Sequence, residues 1–408
     1  MKAITFTASI PRYVMTKILG RIDRRFFWSA FSCLRYGEVP EPGLPAGDWV
    51  KVKTRYGGIC GSDLGVITLH TSPVLSAFSS ASFVLGHENV GVIAEKGERV
   101  KRFREGQRVV VDPTLSCEVR GFLDRCSMCQ AGRDNLCLRS TEGNIAPGLL
   151  IGSCQDTGGS WGEYFVAHRS RLFPVPDEVD DENALMVEPF AVALHAVLRN
   201  FPSRKHRVLV IGGGTIGLCV VAALRALGSD ARIIVVYKYP FQGEMARRYG
   251  ADVVIKLGRG DEFYQELAQT LGGKLLKPLL GGPISMSGAD VTFECVGSRG
   301  SLELALRLTG AGGKIILVGL ASTPGGIDWT PVWLKELDIK GSYTYALEKH
   351  RGRKSHTFQM ALDLMAQKVV DLKPLVTHRF RLKDYRKALE TATAKGREKV
   401  IKAVFEFS

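Results

Sequence analysis

Cysteine, histidine and carboxylate side chains bind zinc, and two glycine-flanked stretches of this chain bring them together in kind. Gly57-Gly58-Ile59-Cys60-Gly61-Ser62-Asp63 is followed by Gly86-His87-Glu88-Asn89-Val90-Gly91. A zinc ion with three protein ligands keeps a position for an alcohol or carbonyl oxygen and polarises it. Cys60 and His87 are the candidate ligands. Ser62 could carry a proton from that oxygen, and Asp63 could orient His87 by accepting its second ring N–H. His87 taken alone would also suit a hydrogen-bonded core position; Cys60 upstream and the flanking glycines favour the metal. Glu188, before a helical stretch over 190–198, offers a third ligand. As a bare carboxylate it equally suits the positive end of that helix.

A second constellation has a different composition. Cys117, Cys126, Cys129 and Cys137 are spaced C-x8-C-x2-C-x7-C. Four thiolates on one loop make a closed zinc site with no place for substrate. The competing reading is a set of buried thiols, and the Arg, Asp, Gly and Asn residues around them argue against burial. Cys219 and Cys295 lie in apolar runs and read as core.

The third constellation binds an anion. Val208–Ile211 meets Gly212-Gly213-Gly214-Thr215-Ile216-Gly217, and an apolar helical segment follows. In this strand–turn–helix context Gly212 makes the turn, Gly214 lets a pyrophosphate approach the backbone, and Gly217 lets the helix pack closely. The anion would rest on the helix N-terminus, with Thr215 and Ile216 beside it. The next strand, 232–236, ends in Tyr237-Lys238. An acid at this place accepts the ribose hydroxyls of NAD. A lysine attracts the 2′-phosphate of NADP instead, so NADP(H) is expected over NAD(H), with Tyr237 stacking on adenine or donating a hydrogen bond.

The elements that must position these groups follow from periodicity. Strands are expected at 1–6, 49–52, 252–255, 290–294, 314–318, 337–340 and 400–407, with helices at 262–271, 301–308, 357–367 and 384–394. Strand–helix alternation after residue 207 implies a parallel sheet with right-handed crossovers. Residues 9–35 hold six cations, with Met15, Ile18, Leu19, Ile22 and Phe26 at helical spacing. This segment reads as a helix whose apolar stripe packs on its own domain or a second subunit; a membrane-surface helix or transit peptide is the alternative.

The 408 residues suffice for two domains. No apolar run is long enough to span a bilayer, and no signal peptide is expected at the start. With nine cysteines and no secretory signal, metal binding in the cytoplasm is favoured over disulfides. The net charge of +14 lacks the interleaved aromatic–basic pattern of a nucleic-acid binder, so the expected partner is a small molecule.

The motifs GICGSD, GHENVG, the cysteine loop, GSWGEY, EPFAVALHA, VIGGGTIG, GGKIILVG and IKGSY, in this order, resemble the zinc-containing medium-chain dehydrogenase/reductase superfamily. Its alcohol, sorbitol and threonine dehydrogenases are most similar, and the likeness covers nearly the whole chain from about Leu34. The resemblance implies an α/β protein: a GroES-like β-rich catalytic domain and a doubly wound Rossmann domain. The boundaries would be 1–190 and 344–408 for the first and 191–343 for the second. It implies Cys60, His87 and Glu188 as ligands of a catalytic zinc, Glu88 behind the metal and able to exchange in, and a homo-oligomer, dimer or tetramer. The chain departs from the pattern at four places. Gly65 stands where a relay histidine is often found. Leu123 stands at the first structural cysteine, with Cys117 as substitute. Tyr237-Lys238 replaces the acid. Finally, segments 9–35 and 68–83 are long. The second, with Leu69, Val74, Leu75, Phe78 and Phe83, would form a wall of the pocket and favour a largely apolar substrate. The expected activity is zinc-dependent hydride transfer between NADP(H) and an alcohol or carbonyl compound. Zinc-assisted reduction of an iminium or activated double bond is the enzymatic alternative, and a non-catalytic binding protein the remote one.

Overall fold

The computed structural model of the chain describes residues 1–407. It divides into two compact units, Met1–Glu188 with Phe358–Ser408, and Pro189–Thr357. Residues 344–357, assigned from sequence to the returning segment, group with the second unit, where Leu347–His350 and Arg353–His356 pair as a hairpin.

In the first unit, β1 (Lys2–Thr7) leads into α1 (Ile10–Ile22). Strand β2 (Leu34–Glu38), β3 (Trp49–Gly58) and α2 (Gly61–Ile67) follow. Next come β4 (Ser82–Val84), β5 (Asn89–Lys96), β6 (Arg108–Val111), β7 (Tyr164–His168) and β8 (Leu172–Pro174). Strands β2, β1 and β4 form a three-stranded sheet in that order. The larger sheet runs from the returning strands Val376–Arg381 and Lys402–Glu406 through β3, β5 and β6 to β8, and β7 also pairs with β3. The β3 burial alternates over most of its length, as expected for a strand with one face on a core. Trp161 joins the two sheets: its carbonyl accepts the Ile4 N–H of β1 at 2.9 Å, its indole N–H donates to the Gly58 carbonyl at 2.8 Å, and its ring meets Phe405 edge-on.

The second unit has β9 (Arg207–Ile211), α3 (Thr215–Ala226), β10 (Arg232–Tyr237), α4 (Pro240–Arg248) and β11 (Val253–Lys256). Strands β12 (Ala289–Glu294), β13 (Thr309–Leu317) and β14 (Asp338–Gly341) complete its sheet. The order is β11-β10-β9-β12-β13-β14, and every pair is parallel. This is the doubly wound arrangement, and the chain reverses direction across the sheet between β9 and β12. Residues 208–211 are all buried, because helices cover both faces of such a sheet. The stretch 272–288, unassigned from sequence, holds a two-residue ladder between Leu275–Leu276 and Ile284–Ser285. Among the described residues no helix is long and apolar enough to cross a membrane.

Over residues 9–35 the structure overturns one of the two expectations, packing of the apolar stripe on its own unit. A helix forms, but Thr16 and Gly20 are its buried residues. A Cβ added at Gly20 would fall 2.3 Å from the Phe27 ring, so the helix rests through its smallest residue. Phe27 and Trp28 supply the apolar anchor, and the Trp28 indole N–H donates to Glu390. Met15, Ile18 and Ile22 face solvent.

Candidate metal centres and dinucleotide site

Strand β3 ends at Gly58, and Cys60 is the N-cap residue of α2. Asp63 stands one turn in, and its Oδ2 accepts the Cys60 backbone N–H at 2.9 Å. That bond fixes the start of the helix in the manner of a capping box. The other oxygen, Oδ1, lies 3.4 Å from His87 Nδ1. One buried carboxylate therefore sets both the Cys60 backbone and the His87 ring, leaving Nε2 as the ring's other donor atom. Cys60, His87 and Glu88 offer ligand atoms within 4.8 Å of one another. Burial works against a charged His87, but Asp63 and Cys60 outweigh it and raise the ring's pKa well above the usual range. Ser62 is half-buried on the first turn of the same helix.

Glu88 is held from behind. Lys402, on the last strand, donates to its two oxygens at 2.6 and 2.7 Å and to the Ile59 carbonyl at 3.4 Å. Both side chains are buried. A Cβ at Gly58 would fall 1.9 Å from Glu88 Oε2, so only glycine leaves room for this carboxylate. Burial lowers the Lys402 pKa, yet Glu88 more than compensates and the ammonium is stabilised. Nothing in the sequence motifs pointed to Lys402. Its position follows from pairing the last strand with β3, Val404 opposite Gly58. Glu188 is buried, outside the three-donor group but within electrostatic reach of His87 and Glu88. Burial, reinforced by Glu88, pushes its carboxyl up to about 7 against the pull of His87.

The four cysteines of the loop converge: Cys117, Cys126, Cys129 and Cys137 place their sulfurs within 4.8 Å of one another. Three are buried and Cys137 is half-buried, which corrects the inference of exposure from their polar neighbours. The loop's polar side chains face out while the sulfurs turn in. Leu123 is 103% exposed, and the fourth sulfur comes from Cys117 instead. Backbone N–H groups of Cys126, Leu138 and Arg139 each point at a sulfur at 3.4 Å. The Cys129 thiol and the Arg139 N–H push Cys137 down to about 5, while burial pushes Cys117 up to about 11. Cys126 and Cys137 are thus lowered and Cys117 and Cys129 raised, an imbalance a divalent cation would remove. The loop is clamped by buried Arg120, which donates to the carbonyls of Leu115, Glu142, Ile145, Ala146 and Gly148. Arg171 ties it to the sheet through Asp112 and Asp134.

In the second unit the glycine turn has the expected geometry. Gly212 has φ +108°, a Cβ at Gly217 would fall 1.8 Å from the Gly212 carbonyl, and a Cβ at Gly214 would meet nothing within 4 Å. The turn is tight, the helix is close, and space stays open above Gly214. Thr215 and Ile216 open α3 and are half-buried. At the end of β10 the Tyr237 ring lies against Gly243 of α4, where a Cβ would be 2.7 Å away. Lys238 is exposed, its ammonium 5.4 Å from the Tyr239 ring centroid. Gln242 accepts the backbone N–H groups of Lys238 and Tyr239, each at 3.1 Å. Lys256, exposed, pairs in register with Tyr237 on the neighbouring strand.

The sequence matches two family models, the alcohol dehydrogenase GroES-like domain over residues 46–177 and the zinc-binding dehydrogenase over residues 215–367. It is 33% identical to L-idonate 5-dehydrogenase of Vitis vinifera over 358 residues, 87% of each chain. The chain belongs to the zinc-containing medium-chain dehydrogenases. Human sorbitol dehydrogenase is 30% identical over 354 residues, 86% of this chain and 87% of that one. Among solved structures, 2R,3R-butanediol dehydrogenase of Bacillus subtilis has 26% identity and a TM-score of 0.71, covering 100% of this chain and 99% of its own. This dehydrogenase therefore works with zinc and a nicotinamide dinucleotide. The apolar residues of segment 68–83 divide between core and surface. Leu69 and Phe83 are buried in the core beside Phe6 and Phe27, while Val74, Leu75 and Phe78 are exposed.

Proposed function

We propose that this dehydrogenase interconverts an alcohol and its carbonyl compound using NADP(H). A zinc would be held by Cys60, His87 and Glu188, and a second by Cys117, Cys126, Cys129 and Cys137. The observation that carries the reading is the mixed thiol, imidazole and carboxylate cluster at the start of α2, with one carboxylate already engaged. Lys402 already engages both oxygens of Glu88, which supports buried Glu188 as the third ligand that the family resemblance implies. Zinc bound there would supply Lewis acidity for a substrate oxygen, and a bound nicotinamide dinucleotide would supply the hydride chemistry.

The chain's own residues do the rest. Asp63 keeps His87 Nδ1 occupied, so the ring presents Nε2 in a fixed direction. Ser62, beside Cys60, takes and returns the hydroxyl proton. Lys402 keeps the charge of Glu88 balanced in a buried place, where an unpaired carboxylate would be costly. The glycine turn and the α3 N-terminus hold the pyrophosphate. Lys238, without an acid beside it, pairs with the 2′-phosphate, and Lys256 adds a second cation to that sheet edge.

Beside the apolar alcohols that segment 68–83 favours, polyols are the compounds to test first. The relatives' names, L-idonate and sorbitol, point the same way. The experiment is a panel of polyols, simple secondary alcohols, aldehydes, imines and enones, followed at the nicotinamide absorbance with both cofactors. Turnover of alcohols or carbonyls with NADP(H) supports the proposal; turnover of imines or enones alone overturns it.

A further inference from the structure

Helix α1 turns its apolar side to water. Ile10, Val14, Ile18 and Ile22 recur every four residues, so they form one ridge along the helix. Ile10 is 83%, Ile18 58% and Ile22 80% exposed. The opposite side, Thr16 and Gly20, is the one the fold covers. The helix is therefore amphipathic in the reverse sense of an ordinary surface helix.

Charge borders the ridge. Lys17 and Arg21 lie along it, Arg12 lies on the far side and donates to the Ser32 carbonyl, the helix holds no acid, and Arg24 follows it. All four are exposed, and among the described residues no carboxylate pairs with any of them. The only acid nearby in sequence, Asp23, is engaged by Arg25. Apolar groups from a second segment emerge at the same end of the small sheet. There β1 and β4 run antiparallel, Thr7 opposite Ser82, and the Ala8 N–H donates to Ala81 at 2.7 Å. The chain on one side continues into α1; on the other it comes from the turn Pro73–Phe78, whose Val74 and Leu75 are exposed.

We propose that this face docks on an anionic lipid bilayer, with α1 lying in the interface. An apolar ridge flanked by uncompensated cations is what such a surface selects. A second copy of the chain fits less well. A symmetric contact through the ridge would bring together two helices that carry Lys17 and Arg21 and no acid, on a chain whose net charge is already +14. Docking is separate from the hydride-transfer reading, since none of these residues belongs to either metal cluster or the dinucleotide turn.

The test is co-sedimentation of the full chain with vesicles of phosphatidylcholine and vesicles of phosphatidylcholine mixed with phosphatidylserine, at low and high salt. The protein should follow the anionic vesicles only, and less so at high salt. An Ile18→Asp/Ile22→Asp variant and a Lys17→Glu/Arg21→Glu variant should each lose about ten-fold or more of this partition, with unchanged turnover in solution. Three results would overturn the proposal: no binding to anionic vesicles; binding indifferent to the Ile18/Ile22 change; or a change of oligomeric size in that variant without vesicles, which would make the ridge a subunit contact.

Discussion

The two cysteine-bearing clusters of the first unit are built on opposite plans. The loop cluster is chemically uniform: four sulfurs, backbone N–H donors, and an outer clamp made by Arg120 on carbonyl groups. All its donors face one another, and nothing else is left to bind. The α2 cluster is mixed: one sulfur, one imidazole and the Glu88 carboxylate, with the Glu188 carboxylate buried outside that group. Asp63 sets the first two, Lys402 holds Glu88, and Glu188 stays buried with its carboxyl pushed up to about 7. A uniform closed set holds a metal for stability, whereas a mixed set with a spare carboxylate leaves a position for chemistry. The difference lies in how many donors the fold has already committed.

The comparison breaks most sharply at Cys60. Cys60→Ser should lower kcat by about 1,000-fold or more, since a lost Lewis acid forfeits several kcal/mol of barrier, while the melting temperature changes little. Steady-state kinetics with thermal unfolding checks both halves. The reverse pattern is expected for Cys126→Ala. That variant should lose several kcal/mol of stability and one metal per chain, but keep turnover per folded molecule. Chelator titration followed by circular dichroism should show the same asymmetry. Lys402→Met should leave Glu88 buried and unpaired, costing about 3–5 kcal/mol in denaturant unfolding, and Lys402→Arg should recover part of that. The smallest effect belongs to the second unit. Lys238→Ala should shift the NADPH-to-NADH ratio of kcat/KM by about ten- to a hundred-fold toward NADH, the worth of one charge-assisted contact. An unchanged ratio would remove Lys238 from the 2′-phosphate site.

The glycine turn was readable because its spacing is a backbone requirement. The positive φ of Gly212 and the contact at Gly217 leave no other residue type. The alternation of strands and helices likewise carried the doubly wound sheet. The four cysteines were readable as a group, but not their burial: the sequence shows polar neighbours, and only the folded loop turns them outward. Lys402 was invisible, because it is brought to Glu88 by a strand 314 residues further along the chain. Helix α1 was legible as a helix and not as to which side is covered. Periodicity gives a stripe, and the decision came from Gly20 yielding to Phe27.

The central claim is that the chain carries one metal for structure and one for chemistry. Metal content and turnover measured together on purified wild-type, Cys60→Ser and Cys126→Ala proteins test it directly. About two zinc ions per chain are expected in the wild type. Each variant should drop to about one, with turnover abolished only in Cys60→Ser. A wild-type content near one, or a Cys60→Ser protein that keeps both metals and full turnover, would contradict the account.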